Sequence, residues 1–144
     1  MKATTIATTP PPAVPPTMSV KDAMPQMENQ TGCAVGIVAD GKLVGLLSKN
    51  DVLQRIVAAG LDPSTTTVGE VMSPPPVTAS ADIDTGEALR VMFEHKTCCL
   101  PLLNESGHLV SWLAICHLFE GHLDLLKDQI DTLANFAGAD GPGG

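Results

Sequence analysis

Apolar and polar positions in the first half of the chain follow a helical period, then two strand periods, then a helical period again. Together they predict a helix, two strands and a helix over residues 19–29, 34–38, 43–47 and 49–59. Asp40-Gly41 separates the two apolar runs, and this dipeptide is typical of a tight β-hairpin. Gly60 can end the second helix, and Pro63 prevents its continuation.

The same order of elements occurs a second time. When the chain is shifted by 65 residues, Met27 coincides with Met92. One extra residue near Ser106 changes the shift to 66, after which Leu47 coincides with Leu113. The second copy is therefore predicted to hold a helix over 84–95 and strands over 100–103 and 109–113. Neither copy can bury a core alone, so we expect the two to pack face to face.

This repeat sets the expected organisation of the chain. The proline-rich segment 8–12 by itself indicates a disordered tail, but it matches residues 73–76 at the entry to the second copy, so we expect it to be ordered. The expected divisions are a frayed N-terminus (1–5), a first unit (6–62), a linker (63–70), a second unit (71–124), a helix extension (125–137) and a flexible glycine-rich tail (138–144).

Composition and charge exclude several classes of protein. Hydrophobic residues make up 44% of the chain, yet no run approaches the roughly 18 apolar residues of a membrane span. No secretion signal is evident, so we expect a cytoplasmic protein. The net charge of -8 repels nucleic acid and anionic lipid, and only 3% of residues are aromatic and able to stack on bases. No nucleophile, base and orienting group can be assembled, so we do not expect an enzyme.

The cysteines do not form a metal or disulfide motif. They are Cys33, Cys98, Cys99 and Cys116. Without a CxxC pair, they are most simply interpreted as reduced, small core side chains. A thiol switch at Cys98-Cys99 is a weak alternative, and so is a metal site that adds His117 and His122. These histidines are five residues apart and do not share a helical face well.

Several segments resemble one known family. Residues 41–53, GKLVGLLSKNDVL, are similar to the end of a CBS domain, which is named after cystathionine β-synthase. The bridge over 60–78 and, in the second copy, residues 87–89 and 100–103 fit the same pattern, so the likeness covers about residues 6–122. It implies an α/β fold of the α+β type, in which two βαββα units pack through their sheets and a C-terminal helix follows. It also implies a stand-alone regulatory protein, a Bateman module of the kind that commonly binds adenine nucleotides or S-adenosylmethionine.

The segment Ser48-Lys49-Asn50-Asp51 carries the local chemistry of a nucleotide contact. It lies where a strand gives way to a helix, and unpaired N–H groups at such a helix start attract phosphate. The Ser48 hydroxyl can donate to a phosphate, and the Asp51 carboxylate can accept from both ribose hydroxyls. The same Ser-x-x-Asp pattern is also an ordinary helix cap, and the two roles are compatible.

The resemblance implies further contacts from both units. The base of a nucleotide held by Asp51 would pack against the second unit. Leu46 and Leu47 would close the pocket from the side of the first unit. The expected nucleotide-binding residues are Leu46, Leu47, Ser48, Asn50, Asp51, Pro76, Val77, Thr78, Lys96, Thr97, Cys98, Cys99 and Pro101. The alternative is that Val77 and the cysteine pair merely fill the interface between the units.

The second copy departs from the family pattern at the equivalent corner. Ala114 and His117 stand where the first copy has Ser48 and Asp51. Alanine has no donor, and a neutral imidazole cannot reproduce the two acceptor oxygens of a carboxylate. We therefore predict that a second nucleotide site is absent or weak.

A second departure concerns charge. Cys33, Cys98 and Cys99 stand where nucleotide-binding members of the family often carry His or Arg, which leaves Lys49 and Lys96 as the nearby cations. With a net charge of -8, a triphosphate is disfavoured. AMP is the favoured ligand, followed by related compounds such as ADP, ATP and S-adenosylmethionine. No cofactor is required, and no metal is expected.

An apolar seam runs along the C-terminal helix. Its members, spaced by 4, 3, 4 and 3 residues, are Phe119, Leu123, Leu126, Ile130 and Leu133. This spacing is typical of a short coiled coil, which either folds back onto its own module or contacts a second copy or an effector protein. We expect a homodimeric ligand sensor. A ligand-free interaction scaffold is the main alternative, and a cysteine-based redox or metal sensor is a weaker one.

Overall fold

The computed structural model describes residues 1–28, 34–75 and 77–139, and within them two three-stranded sheets, each accompanied by helices. The elements are β1 Ala13–Val14, α1 Val20–Glu28, β2 Ala34–Ala39, β3 Lys42–Ser48, α2 Lys49–Val52, α3 Val68–Val71, β4 Ala79–Ser80, α4 Thr85–Glu94, β5 Cys99–Leu103, β6 Leu109–Ala114 and α5 Ile115–Ala139. A 3₁₀ turn over Ala3–Thr5 precedes β1, and a π-helical segment over Leu53–Val57 continues α2.

The two sheets repeat one topology. In the orders β1-β2-β3 and β4-β5-β6, the first strand is parallel to the middle strand and the last strand is antiparallel to it. Asp40 and Gly41, with φ of 53° and 79°, form the tight turn that joins β2 to β3, as the sequence predicted. The predicted α/β architecture of two similar units is thereby confirmed.

Three clusters of buried side chains hold the units together. One core lies between the first sheet and its helices and includes Val35, Ile37 and Leu47. The second sheet has its own core, which includes Leu100 and Leu113. A third cluster takes residues from both sheets and so lies between the units: Ala34, Leu46, Cys99 and Trp112. Alternate side chains of each central strand thus serve different cores, as the strand period of two requires.

The leading segments of the two repeats are exchanged. Ala3 is fully buried in the core of the second unit, and its N–H donates to the Ile83 carbonyl oxygen at 2.9 Å. Val68, which is 65 residues further along, is fully buried in the core of the first unit, and its N–H donates to the Met18 carbonyl oxygen at 2.8 Å. The structure therefore differs from the frayed end expected over 1–5 and from the plain linker expected over 63–70.

Helix α5 continues the second unit well beyond its sheet. It spans 25 residues, so it includes the predicted extension over 125–137 and also Gly138 and Ala139 from the predicted flexible tail. The rest of that tail, residues 140–144, lies outside the described residues. Leu118 is buried, whereas every described side chain from His122 to Phe136 is exposed. Among the described helices, none is both long and apolar enough to cross a membrane.

Candidate functional site between the two units

The corner where β3 meets α2 is closed by a reciprocal pair of hydrogen bonds. Ser48 N–H donates to Asp51 Oδ2 at 2.9 Å, and Asp51 N–H donates to Ser48 Oγ at 3.1 Å. This is the capping box that the Ser-x-x-Asp pattern predicted. It fixes the Asp51 carboxylate at the start of the helix, and the Asp51 side chain is only 13% exposed.

The other carboxylate oxygen of Asp51 contacts the segment that connects the two units. Ser73 Oγ donates to Asp51 Oδ1 at 2.9 Å, and Arg55 Nε lies 3.9 Å from the same oxygen. Arg55 also donates to the carbonyl oxygens of Val71 and Met72, at 3.0 and 2.9 Å. A carboxylate has about four acceptor sites, so Asp51 can still accept hydrogen bonds from a ligand.

Backbone pairing and one glycine hold this connecting segment against β3. Leu46 N–H donates to the Ser73 carbonyl oxygen at 2.7 Å, and Ser73 N–H returns a bond of 2.9 Å to Leu46. A side chain at Gly45 would place its Cβ 2.5 Å from Met72 Sδ, which is too close for any real contact. The absence of a side chain at Gly45 therefore makes room for Met72 beside the corner.

The corner where β6 meets α5 has the same connections with a different side chain. Ala114 N–H donates to His117 Nδ1 at 3.2 Å, and His117 Nε2 lies 3.3 Å from Thr8 Oγ1. Thr8 and Trp112 exchange backbone hydrogen bonds of 2.9 and 3.0 Å, as Ser73 and Leu46 do in the first unit. An imidazole thus stands where the first corner has a carboxylate.

The contacts of His117 define its charge. Because a backbone N–H can only donate, Nδ1 of His117 must accept, so the ring is neutral and its proton lies on Nε2, from which it can be donated to Thr8. Partial burial lowers the pKa of His117 below its usual value, while the nearby Glu120 carboxylate opposes that effect. The second corner therefore has no fixed charge at neutral pH.

Both corners border the interface between the sheets. Ser48 pairs with Ala34 across the first hairpin, and Ala114 pairs with Cys99 across the second. Ala34 and Cys99 belong to the same buried cluster between the units. Each corner therefore lies beside residues of both units.

Trp112 is a feature of this interface that the sequence analysis missed. It is fully buried, and a Cβ at Gly36 in the opposite sheet would lie 3.1 Å from its Cζ3 atom. Its Nε1 atom has no hydrogen-bond partner among the residues that the structure describes. The available signal was the repeat itself, because the shift of 66 residues places the single tryptophan of the chain on Leu46.

The remaining predicted site residues are spread over several surroundings. Leu46 lies between the units, whereas Leu47 is fully buried in the core of the first unit. Val77 packs against the second core, Thr78 lines a small cleft with Ser80, and Asn50 is exposed on α2. Pro101 is buried in β5, and Pro76 lies outside the described residues, as does Cys33.

Three of the predicted residues line a different cleft. Lys96, Thr97 and Cys98 lie with Phe93 and Phe119 around a cavity of about 330 Å³ between α4 and α5. This cleft is on the helical side of the second sheet. The structure therefore does not show these three side chains facing the first corner.

The described residues also bear on the metal interpretation. Nowhere in 1–28, 34–75 and 77–139 do three His, Cys, Asp or Glu side chains lie where they could hold one metal ion. Cys98 and Cys116 are exposed. The described part of the chain offers no support for a metal sensor.

Comparison with known proteins identifies the architecture. The CBS domain family matches residues 3–58 and 68–120, which is one match for each unit. The chain belongs to the CBS domain family. Its two units form a CBS pair, so the resemblance of residues 41–53 to a CBS domain is confirmed. The exchanged segments over 3–5 and 68–71 lie inside the matched ranges.

Similar proteins of known sequence or structure include other CBS proteins. CBSCBSPB5, a CBS domain-containing protein of Arabidopsis thaliana, is 36% identical over 95 residues, which are 66% of this chain but only 17% of that relative. Hypoxic Response Protein I, solved with two coordinated zinc ions, is 27% identical with a TM-score of 0.72, and the match covers 83% of this chain and 98% of that one. CBSX2 of Arabidopsis thaliana, solved in complex with AMP, is 22% identical with a TM-score of 0.70, and the match covers 86% and 97%.

Proposed function

We propose that this CBS pair is a regulatory module that binds one adenosine-type ligand, with AMP favoured, in the cleft between its units. The observation that carries the proposal is the corner of β3 and α2, where a largely buried carboxylate and a helix start border the interface. Such a corner offers N–H groups for a phosphate and oxygens for ribose hydroxyls. CBSX2, which has the same fold, has been solved in complex with AMP.

The difference between the corners supports one ligand per chain. Asp51 provides a charged acceptor with spare lone pairs, whereas His117 is neutral and both of its ring nitrogens already have partners. A ribose needs an acceptor for two hydroxyl donors. The acidic chain, with a net charge of -8, favours a monophosphate over a triphosphate.

The same contacts suggest how binding would be transmitted. A ribose that donates to Asp51 shares this carboxylate with Ser73 Oγ, and each added donor weakens the bonds that the carboxylate already accepts. Ser73 belongs to the segment that leads from α3 into the second unit, so loosening this bond would alter how the units pack. A ligand shifts such an equilibrium only by its differential affinity for the two arrangements. Through this change the module would act on a second copy or on an effector protein.

The test is calorimetric titration of AMP, ADP, ATP and S-adenosylmethionine into wild type and Asp51→Ala. Because Asp51 also caps α2, the matched control is Glu70→Ala, which removes the equivalent capping bond of α3, where Thr67 N–H donates to Glu70 Oε2 at 3.1 Å. We expect saturable binding near one ligand per chain in wild type and Glu70→Ala, and none in a folded Asp51→Ala protein.

Other outcomes would contradict this assignment in different ways. Binding that survives Asp51→Ala would place the site elsewhere. No binding of any of the four ligands to protein stripped of nucleotide would favour the interaction scaffold instead. That second function has its own support, because α5 exposes a row of large apolar side chains.

A further inference from the structure

Helix α5 presents a continuous apolar stripe to solvent. The side chains of the stripe expose between 54% and 69% of their surface, and they are Phe119, Leu123, Leu126, Ile130, Leu133 and Phe136. In the exposed part of the helix, beyond Gly121, the acidic residues lie on other faces than the stripe. They are Asp124, Asp128 and Asp131. A contiguous row of large exposed apolar side chains typically marks an interaction site, so the stripe is expected to be covered.

The area of the stripe is sufficient for a stable interface. Burial of about 100 Å² for each of its side chains, summed over two helices, gives about 1,200 Å², which is the lower bound for a stable protein interface. The first five residues of the stripe follow the 4-3-4-3 spacing of a coiled coil. In heptad positions, Leu123 and Ile130 occupy a, while Phe119, Leu126 and Leu133 occupy d.

The charged residues beside the stripe indicate which partner can bind it and whether the partner's helix runs parallel or antiparallel to α5. Glu120 and Lys127 both occupy e positions, and e positions face each other when two such helices pair antiparallel. With Leu123 of one copy against Leu126 of the other, Glu120 of each copy faces Lys127 of the other, which gives two pairs of opposite charge. A shift of one heptad in either direction places two lysines or two glutamates opposite each other.

A parallel pair lacks this complementarity. In a parallel coiled coil a g position faces the next e position of the other helix, so His122 would face Lys127. Glu120 would face Ile115, which already packs against the core of its own unit. The same sequence therefore complements itself in one antiparallel register.

We propose that the α5 stripe is a self-association surface that pairs antiparallel with the stripe of a second copy through the Leu123–Leu126 register. This inference deepens the proposed function, because it names the second copy on which the ligand-binding pair would act. The cleft lined by Phe93 and Phe119 at the base of the stripe fits this arrangement. The far end of the other helix, with Phe136, reaches toward that cleft.

The first test is sedimentation velocity over a wide range of protein concentration. We expect wild type to form a dimer and Leu126→Asp/Ile130→Asp to remain monomeric at every concentration. Both positions are exposed, at 54% and 63%, so the variant should keep the thermal unfolding transition of the folded module. A monomeric wild type, or a dimer that is unchanged in this variant, would overturn the proposal.

A charge swap tests the direction and the register. We expect Glu120→Lys alone, or Lys127→Glu alone, to weaken the dimer about tenfold, and the double variant to restore it. Asp128→Lys is the matched control, because it changes the net charge as Glu120→Lys does but lies at the outer f position. A double variant as weak as the single ones would exclude the proposed register.

Calorimetry with AMP on the same samples separates this proposal from the proposed function. A monomeric wild type that still binds AMP, or a variant that binds AMP and keeps the wild-type dimer, would refute only the self-association surface. A dimer that responds to the charge swap but binds none of the four ligands would refute only the ligand assignment.

Discussion

The two corners of the molecule share their backbone connections but differ in the side chain that each of them holds. At the first corner Asp51 accepts a hydrogen bond from Ser73, and at the second His117 meets Thr8, with heavy-atom distances of 2.9 and 3.3 Å. Each corner has the same strand end, helix start and contacting segment, at Ser73 or at Thr8, but the charge is present at only one corner. The shared connections are therefore explained by folding alone, and the ligand proposal depends on what Asp51 adds to them.

The greatest loss of stability is expected at the interface between the sheets, where Trp112 and Leu46 occupy equivalent positions of the repeat. Trp112→Ala removes a fully buried indole from between the sheets, and we expect the free energy of unfolding to fall by about 3–5 kcal/mol. Leu46→Ala at the matching position removes a smaller side chain and should cost about 2–3 kcal/mol. Chemical denaturation followed by circular dichroism measures both. An equal loss in the two variants would mean that the indole contributes no more to the interface than the Leu46 side chain does.

The second-largest loss of stability is expected at Gly45, where a side chain would clash with Met72. Gly45→Ser should lower the free energy of unfolding by about 1–3 kcal/mol, because its Cβ would meet Met72 Sδ and Cγ at 2.5 and 2.9 Å. The second unit already has Ser111 at the position equivalent to Gly45, with Ala7 at the one equivalent to Met72. Met72→Ala should therefore recover part of the loss. Strictly additive costs in the double-mutant cycle would argue against this contact.

Removal of the caps compares the two corners directly. Asp51→Ala leaves Ser48 N–H and Ser73 Oγ without their acceptor, and we expect a loss of about 2 kcal/mol in the free energy of unfolding. His117→Ala breaks longer, uncharged bonds of 3.2 and 3.3 Å and should cost about 1 kcal/mol. Thermal unfolding at neutral pH distinguishes them. A larger loss at His117 would reverse this ranking of the corners.

Acidification should weaken the second corner, and by the smallest amount of these effects. The folded state lowers the pKa of His117 below its usual 6.5, so the unfolded chain binds the proton more readily. The contribution of His117 to stability is thus complete above about pH 6.5 and is lost as the pH falls through the folded-state pKa. His117→Asn, whose amide oxygen can accept in place of Nδ1, should flatten this decline in denaturation curves. An unchanged slope in that variant would assign the decline to other groups.

The sequence predicted the repeat and the Ser48–Asp51 cap because both depend on local spacing. It did not predict which side chains of neighbouring elements meet, since that depends on how the two units pack. Leu46 and Leu47 show the limit: they are adjacent in the chain, yet only the register of the sheet decides which one lies between the units. The frayed end expected over 1–5 differs from the structure for the same reason. Ala3 packs in the core of the second unit, which is distant in the sequence.

The exchange of leading segments has a consequence for dissecting the molecule. A cut after residue 62 would leave the first fragment without Val68 and Val71, which complete its core, while it retained Ala3, which belongs to the other core. Neither fragment should fold alone, but the two should regain structure when mixed. The unit that folds around one core is therefore a circular permutation of the repeat seen in the sequence. It begins after the segment that contacts one corner, at Thr8, and ends with the next such segment, at Ser73.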